Sequence, residues 1–574
     1  MLKAILKWLA GVFAVFILLF AMVFIFFMVI TDDEPVVVDN SYLHISLSGG
    51  LSEYQTPDPL EKALGRSALD IKKVRDVLEK ATVDERINGV LLEIELLQTG
   101  YAKIQELRHL IENFRKSGKP IYAFLGPDFA FTRDYYVASA CDSIFMPPAT
   151  NLFLTGVGSE ITFYKDFLKK IGVEADFVQI GAYKNAPEIY TQNKMTDPHR
   201  HVLSNILDSF YGDVVSTIAL SRDISEQQVK KLINEISGFT GKDAMDAGLV
   251  DGTAYIPGII QQFSTDSTEK PVRLSATAYA DVPASSLKIR NKSRIAVINC
   301  VGAIAGGSDS EDPYYGKIMG AKTVVKSLER AAESKSIKAI ILRIDSPGGS
   351  ATASEEIWHA IQRARQKKPV IASIADYGAS GGYYISMAAD TMITTANSLV
   401  GSIGIYAGKF SVAGLYDLLD LKNETLKIGR NASLFSLKQK WSSSERALIT
   451  RLITDYYQDF LQKTADSRGL SAEQVDALGQ GHVWTGQEAV DNNLFDSAGF
   501  FYDAVNAAKT MTGIDSLESV RLVYYPREKS LFSEIFSTFS KMTSPSNPLS
   551  QLETILLNMQ NKPLAMLPFK IYWN

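Results

Sequence analysis

The chain repeats itself. Segments of its first half recur in the second, in the same order and at a shift of about 248 residues. GVLLEIE at 89–95 matches AIILRID at 339–345, and KSGKPIYAF at 116–124 matches QKKPVIASI at 366–374. YYVASACDSIFMPPATNLFLTGVG at 135–158 matches YYISMAADTMITTANSLVGSIG at 383–404. VQIGAYKNA at 178–186 faces LKIGRNA at 426–432, and ALSRDISEQQV at 219–229 faces ADSRGLSAEQV at 465–475. FTGKDAMDAGLVD at 239–251 closes the series against WTGQEAVDNNLFD at 484–496. Order kept over so many segments marks a duplication, so the fold must be one that can be built twice. The length of 574 residues agrees, because a single hydrophobic core stops growing well below it.

Within each half, short apolar runs alternate with amphipathic stretches such as 354–366, where Ile357, Ile361 and Ala364 fall at helical spacing. Strands alternating with helices predict an α/β fold of parallel βαβ units. The pattern divides the chain into a segment 1–34, a first repeat over 35–255 and a connection rich in Ser, Thr, Ala and Pro over 256–292. A second repeat follows over 293–515, and then an extension over 516–574 in which the repeat gives out.

The first segment departs from the rest. From Trp8 to Ile30 no residue is charged, and these 23 residues (30 − 8 + 1) reach across a bilayer core as a helix. Lys3 and Lys7 precede the run, and Asp32, Asp33 and Glu34 follow it. The positive-inside rule puts the N-terminus in the cytoplasm and the body on the far side. A cleaved signal peptide would have a shorter apolar region of about 7–15 residues, ending in a small-x-small site. A net charge of −5 with scattered lysines and arginines gives no sign of a nucleic-acid partner. Cys141 and Cys300 are the two cysteines, each in an apolar stretch, and indicate neither a disulfide framework nor a metal site.

Two glycine motifs carry the chemistry. Asp345-Ser346-Pro347-Gly348-Gly349-Ser350 directly follows the apolar AIILRI. A strand that ends in Pro-Gly-Gly turns sharply and bares backbone N–H groups, which suit an oxyanion. Thr352 and Glu355 fit a capping box for the helix behind it. Ala379-Ser380-Gly381-Gly382 follows the strand-like VIASIA and places a serine at a helix entrance. A nucleophile, the Gly381 amide beside it and a second amide from the Gly348-Gly349 turn serve acyl transfer; which of those two glycines donates is left open.

A serine needs a base, and the six histidines (44, 109, 199, 201, 359, 482) offer no motif of a triad partner. His359 reads as packing or solvated, and His199 and His201 as part of a polar loop. A buried lysine can serve when it is neutral. The repeat points to one. Where the second half has Ser380-Gly381-Gly382, the first reads Thr132-Arg133-Asp134; where the second has DSPGGS, the first has Glu95-Leu96-Leu97-Gln98-Thr99-Gly100. The first half instead keeps Lys184 in GAYKNA, where the second reads Gly429-Arg430-Asn431-Ala432, and arginine does not give up its proton. Each half holds what the other lacks.

Together the duplicated body, the apolar N-terminus, GAYKNAPE, DSPGGS, GASGGYYIS and GSIGI resemble the signal peptide peptidase A (protease IV) family in its long bacterial form. The resemblance runs from the N-terminus to about residue 515. It implies two tandem crotonase- or Clp-protease-like α/β repeats, an N-terminal transmembrane helix, and a Ser–Lys dyad split between the repeats. Ser380 would be the nucleophile and Lys184 the general base and later acid, with Gly381 and Gly348 or Gly349 holding the oxyanion. It further implies a homotetramer in the bacterial cytoplasmic membrane, with an extracytoplasmic body that degrades spent signal peptides and uses neither cofactor nor metal. Acyl-CoA enzymes of the crotonase type share fold and oxyanion turn, but need neither an anchor nor the reciprocal loss of Ser380 and Lys184.

Overall fold

The computed structural model of the chain describes residues 36–54, 68–264, 269–287, 292–312 and 316–526, together with Trp8, Gly11 and the backbone of Leu564–Ala565. The span expected at 8–30 as an anchor lies almost wholly outside these residues. Among the described residues no helix is long and apolar enough to cross a membrane.

The first repeat builds β1 (Ser41–Gly49), α1 (Ile71–Val83), β2 (Ile87–Leu97), α2 (Tyr101–Arg115), β3 (Ile121–Leu125), β4 (Ser143–Met146), β5 (Glu174–Ile180), β6 (Gly252–Thr253) and β7 (Val272–Ser275). Six of these form one sheet in the order β7-β1-β2-β3-β4-β6, and every pairing in it is parallel. The second repeat builds β8 (Ser293–Val301), α3 (Ala321–Glu333), β9 (Ile337–Ser346), β10 (Gly349–Ser350), α4 (Ala351–Arg365), β11 (Val370–Ala379), α5 (Gly381–Ser386), β12 (Leu399–Gly401), β13 (Ile405–Ser411), β14 (Val483–Thr485) and β15 (Val520–Tyr525). Its sheet runs β14-β12-β11-β9-β8-β15, parallel except for β12 with β14. The helices form for the usual reason: α3 buries Ala321, Val324, Leu328 and Ala331, and α4 buries Ile357, Ile361 and Ala364, one apolar stripe each. Helices over a parallel sheet explain why β2 and β9 read as almost unbroken apolar runs.

Three expectations are corrected here. β7 and β15 lie beyond the repeat boundaries set at 255 and 515, yet each pairs in parallel with the first strand of its own repeat. VRLS at 272–275 and VRLV at 520–523 are themselves a repeat pair; as edge strands, exposed on one side, they carry too short an apolar signal to stand out. The helix after DSPGGS is capped by Ser350, whose side chain accepts from Ala353 N, so Thr352 and Glu355 are not its capping box. His199 and His201 lie in a helix over Asp197–Arg222 rather than a polar loop, because Thr196 caps it and Pro198 fits its first turn.

Among the contacts that join the repeats, two lie in the body of the fold. Strand β5 of the first pairs antiparallel with β13 of the second, in register from Ile180 opposite Ile405 to Glu174 opposite Ser411. On β9, Arg343 of the second repeat is enclosed by Glu53, Arg75 and Glu106 of the first. Arg75 Nη2 reaches Glu106 at 2.7 Å and Glu53 at 3.0 Å, and Arg343 Nη2 reaches Glu53 at 3.0 Å and also bonds Glu106. All four are buried, and each charge is paired with opposite charges, which is what makes such burial tolerable.

Candidate active site

Ser380 stands between β11 and α5, fully buried, with φ 54° and ψ −111°. A serine with positive φ is strained, and here neighbouring bonds enforce it. Ser380 N donates to Gly401 O at 2.7 Å, and Tyr384 N donates to Ser380 O at 2.8 Å. No larger residue fits beside it: a Cβ on Gly381 would lie 2.6 Å from Ser354 Oγ, and one on Gly382 would lie 2.6 Å from Ser346 O.

Lys184 arrives from the first repeat. Pairing of β5 with β13 carries the chain to Gly181, where φ 106° and a close approach to Gln480 exclude a side chain. The loop docks through Tyr183 N to Gln480 O at 2.7 Å, and Gly481 leaves room for the Lys184 backbone. Lys184 Nζ then donates to Ser380 Oγ at 2.7 Å, to Ser402 Oγ at 2.9 Å and to Ser402 O at 3.1 Å. The side chain is 1% exposed, and burial alone lowers its pKa from 10.5 to about 7. With no carboxylate among its bonded partners, a substantial fraction is neutral at physiological pH. Ser402 was not singled out from the sequence, although it sits in the quoted GSIGI; a serine among glycines has no signature until the fold sets it against the lysine. Its own φ of 52° is held by a bond from Ser402 N to His482 O at 2.7 Å.

The turn also separates its two glycines. Gly348 N–H is directed to Ser346 Oγ at 3.2 Å, and Ser346 Oγ donates in turn to Gly302 O at 2.7 Å. Gly349 is bridged to Ile304, and Ile304 N donates to Gly348 O at 2.8 Å. A parallel bridge uses the groups flanking its centre, so the N–H of Gly349 faces the side away from Ile304, where Leu564–Ala565 pairs with it. A Cβ on Gly381 would lie 3.2 Å from that nitrogen, so the two amides are close neighbours. Along the same side Leu564–Ala565 runs antiparallel to Gly349–Ser350, with Leu564 also paired to Tyr406. The groove therefore holds an extended backbone between β10 and β13.

The first repeat's counterpart is closed. Thr132 is buried and accepts from Thr155 N at 3.0 Å, while Arg133 Nη1 donates to Leu97 O at 2.8 Å. In the second repeat the counterpart of Lys184, Arg430, is exposed at the surface. Cys141 and Cys300 are free and buried.

Comparison with known proteins follows the same division. A family model described as peptidase family S49 matches residues 113–268 and 362–515, one stretch in each repeat. A model described as Clp protease matches residues 317–400, which hold the Gly-Gly turn and Ser380. The chain is 30% identical to the chloroplastic serine protease SPPA of Arabidopsis thaliana over 505 residues, 87% of this chain and 73% of that protein. It is 30% identical to protease 4 of Salmonella typhi over 482 residues, 81% of this chain and 75% of the relative. Protease 4 of Haemophilus influenzae is 29% identical over 456 residues, 76% and 72% of the two chains.

Proposed function

The chain belongs to peptidase family S49 and is a serine protease with a Clp-protease-like fold built twice, and we propose that it cuts apolar peptides, spent signal peptides among them, with Ser380 as nucleophile and Lys184 as base. The observation that carries this reading is the 2.7 Å bond between a buried lysine of lowered pKa and a buried, strained serine. An extended peptide enters between β10 and β13, and neutral Lys184 takes the Ser380 proton as Oγ attacks the carbonyl carbon. The amides of Gly349 and Gly381 stabilise the tetrahedral oxyanion, each worth about 2.7–4 kcal/mol of barrier by the usual magnitude for such donors. Lysinium then gives its proton to the leaving amine. A water, deprotonated by Lys184, releases the acyl group from Ser380.

An uncharged run of 23 residues behind two lysines supports single-pass anchoring in a bacterial cytoplasmic membrane with the body outside. The repeat supports a homo-oligomer. Residues 422–428, the second repeat's counterpart of β5, lie outside any strand, and Leu426 and Ile428 are 93% and 101% exposed, near exposed Leu418, Leu419 and Phe435 in the chain. A second copy would cover this apolar strip, and a homotetramer is the assembly proposed, as the resemblance implies.

The test is cleavage of a synthetic signal peptide by the full chain in detergent, with Ser380→Ala and Lys184→Ala alongside. Cleavage by wild type and background rates for both folded variants are expected. Near-normal cleavage by Lys184→Ala would place the base elsewhere.

A further inference from the structure

Lys184 is not the only lysine that the first repeat sends into the second. Lys103, in the first turn of α2, is 7% exposed, and its ammonium lies 2.5 Å from Asp345 Oδ2 and 2.8 Å from Asp376 Oδ2. Its backbone N–H also donates to Asp376 Oδ1 at 3.0 Å. Gly100, just before α2, is the residue this contact demands, since a Cβ there would fall 2.1 Å from the Asp376 carboxylate. Asp345 Oδ1 accepts from Tyr377 N at 3.2 Å, which ties the end of β9 to β11. Both carboxylates are buried.

The two acids hold the two strands that end in the reacting groups. Asp345 precedes Ser346, whose hydroxyl fixes the Gly348 N–H and thereby the aim of Gly349. Asp376 stands four residues before Ser380 on β11. Without the Lys103 cation the two buried carboxylates would repel or share a proton, and either way they lose the ammonium bridge that holds β9 to β11 where Gly349 and Ser380 must keep their spacing. Burial works against the Lys103 charge, but Asp345 and Asp376 more than offset it and raise its pKa above the ordinary lysine value, so the clamp stays charged throughout the working range. In this respect Lys103 differs from Lys184, which has no such partners.

We propose that Lys103 is a positioning residue for catalysis: by clamping Asp345 to Asp376 it sets the oxyanion amide of Gly349 against Ser380. The inference rests on the Ser380–Lys184 reading above. A clamp that only held the fold together would alter stability and leave the folded enzyme's chemistry intact. A clamp that sets this spacing acts on the transition state, so kcat falls while KM for a peptide ester changes little.

The test uses the full chain in detergent and compares wild type with Lys103→Met, activity being normalised to the folded fraction. A 10- to 100-fold loss of kcat is expected with KM within 3-fold of wild type. A peptide boronate, whose adduct with Ser380 places an oxygen among the same amides, is expected to bind more weakly by a similar factor. The pH midpoint of activity, set by Lys184, is expected to stay in place. Wild-type kcat and boronate affinity in folded Lys103→Met would overturn the inference. If Lys103→Met does not fold, the uncharged variant Lys103→Met/Asp345→Asn/Asp376→Asn is read instead: folded but slow supports the clamp, and folded with wild-type kcat overturns it. Ser380→Ala run in parallel separates the two levels, since boronate binding that survives in Ser380→Ala would sink the underlying dyad reading rather than the role of Lys103.

Discussion

Lys184 Nζ and Ser380 Oγ stand 2.7 Å apart although 196 residues separate them in the chain. Each belongs to a different copy of the same fold, and each copy has lost the other's group. In the proposed dyad each copy supplies one group, and the first repeat fills the position matching Ser380 with Thr132 and Arg133.

Members of the proposed dyad are expected to fail together. Ser380→Ala and Lys184→Ala are each expected to lower kcat for a peptide ester by about 10³-fold or more, and the double variant to be no slower than either single one. Lys184→Arg is expected to restore nothing, because its guanidinium stays charged. A double variant slower than both singles by the product of their effects would show two separate contributions.

Activity should rise with pH. In the proposed mechanism the base form of Lys184 is the reactive one, and its pKa is lowered to about 7, so kcat/KM is expected to climb through that pH and level off above it. Ser402→Ala removes an acceptor that favours the charged lysine, and is expected to shift the midpoint further down and lower the plateau. A flat profile from pH 5 to 9 would contradict the assignment.

Burying that lysine has a cost in stability. Its folded pKa lies below the unfolded value of 10.5, so the unfolded chain binds more protons between about 7 and 10.5 and stability rises with pH across that window. The destabilisation is complete below pH 7. Lys184→Met is therefore expected to stabilise the fold by about 2–4 kcal/mol at pH 6, after allowing for hydrogen bonds lost to Ser380 and Ser402, and by much less near pH 10. Thermal unfolding at the two pH values measures the difference.

The oxyanion turn tolerates no methyl. A Cβ on Gly349 would lie 2.2 Å from Ile304 O, so Gly349→Ala must move the strand that presents its amide. A drop of about 10²–10³ in kcat is expected in the folded fraction, judged by circular dichroism.

The exposed strip gives the last prediction. Leu426→Glu/Ile428→Glu changes two side chains that are 93% and 101% exposed, so the monomer fold is expected to survive while light scattering shows a smaller assembly. An unchanged mass would move the subunit contact elsewhere.

The sequence by itself determined the duplication and the parallel α/β class, and it singled out Ser380 and Lys184 as candidates. These rest on patterns local to the chain: order of segments, apolar runs bounded by glycine, and a lysine kept in one copy and lost from the other. It did not separate Gly348 from Gly349, because both are glycines in one turn; only the bond from Gly348 N–H to Ser346 Oγ tells them apart. It passed over Ser402 and Lys103, whose neighbours in the chain carry no chemistry and whose partners lie 218 and 242 residues away. It also missed β7 and β15, edge strands too short and too exposed to register as apolar runs. What tertiary structure alone decided is the meeting of groups across the two repeats, since the antiparallel pairing of β5 with β13 and the burial that lowers the pKa of Lys184 exist only once both copies are folded against each other.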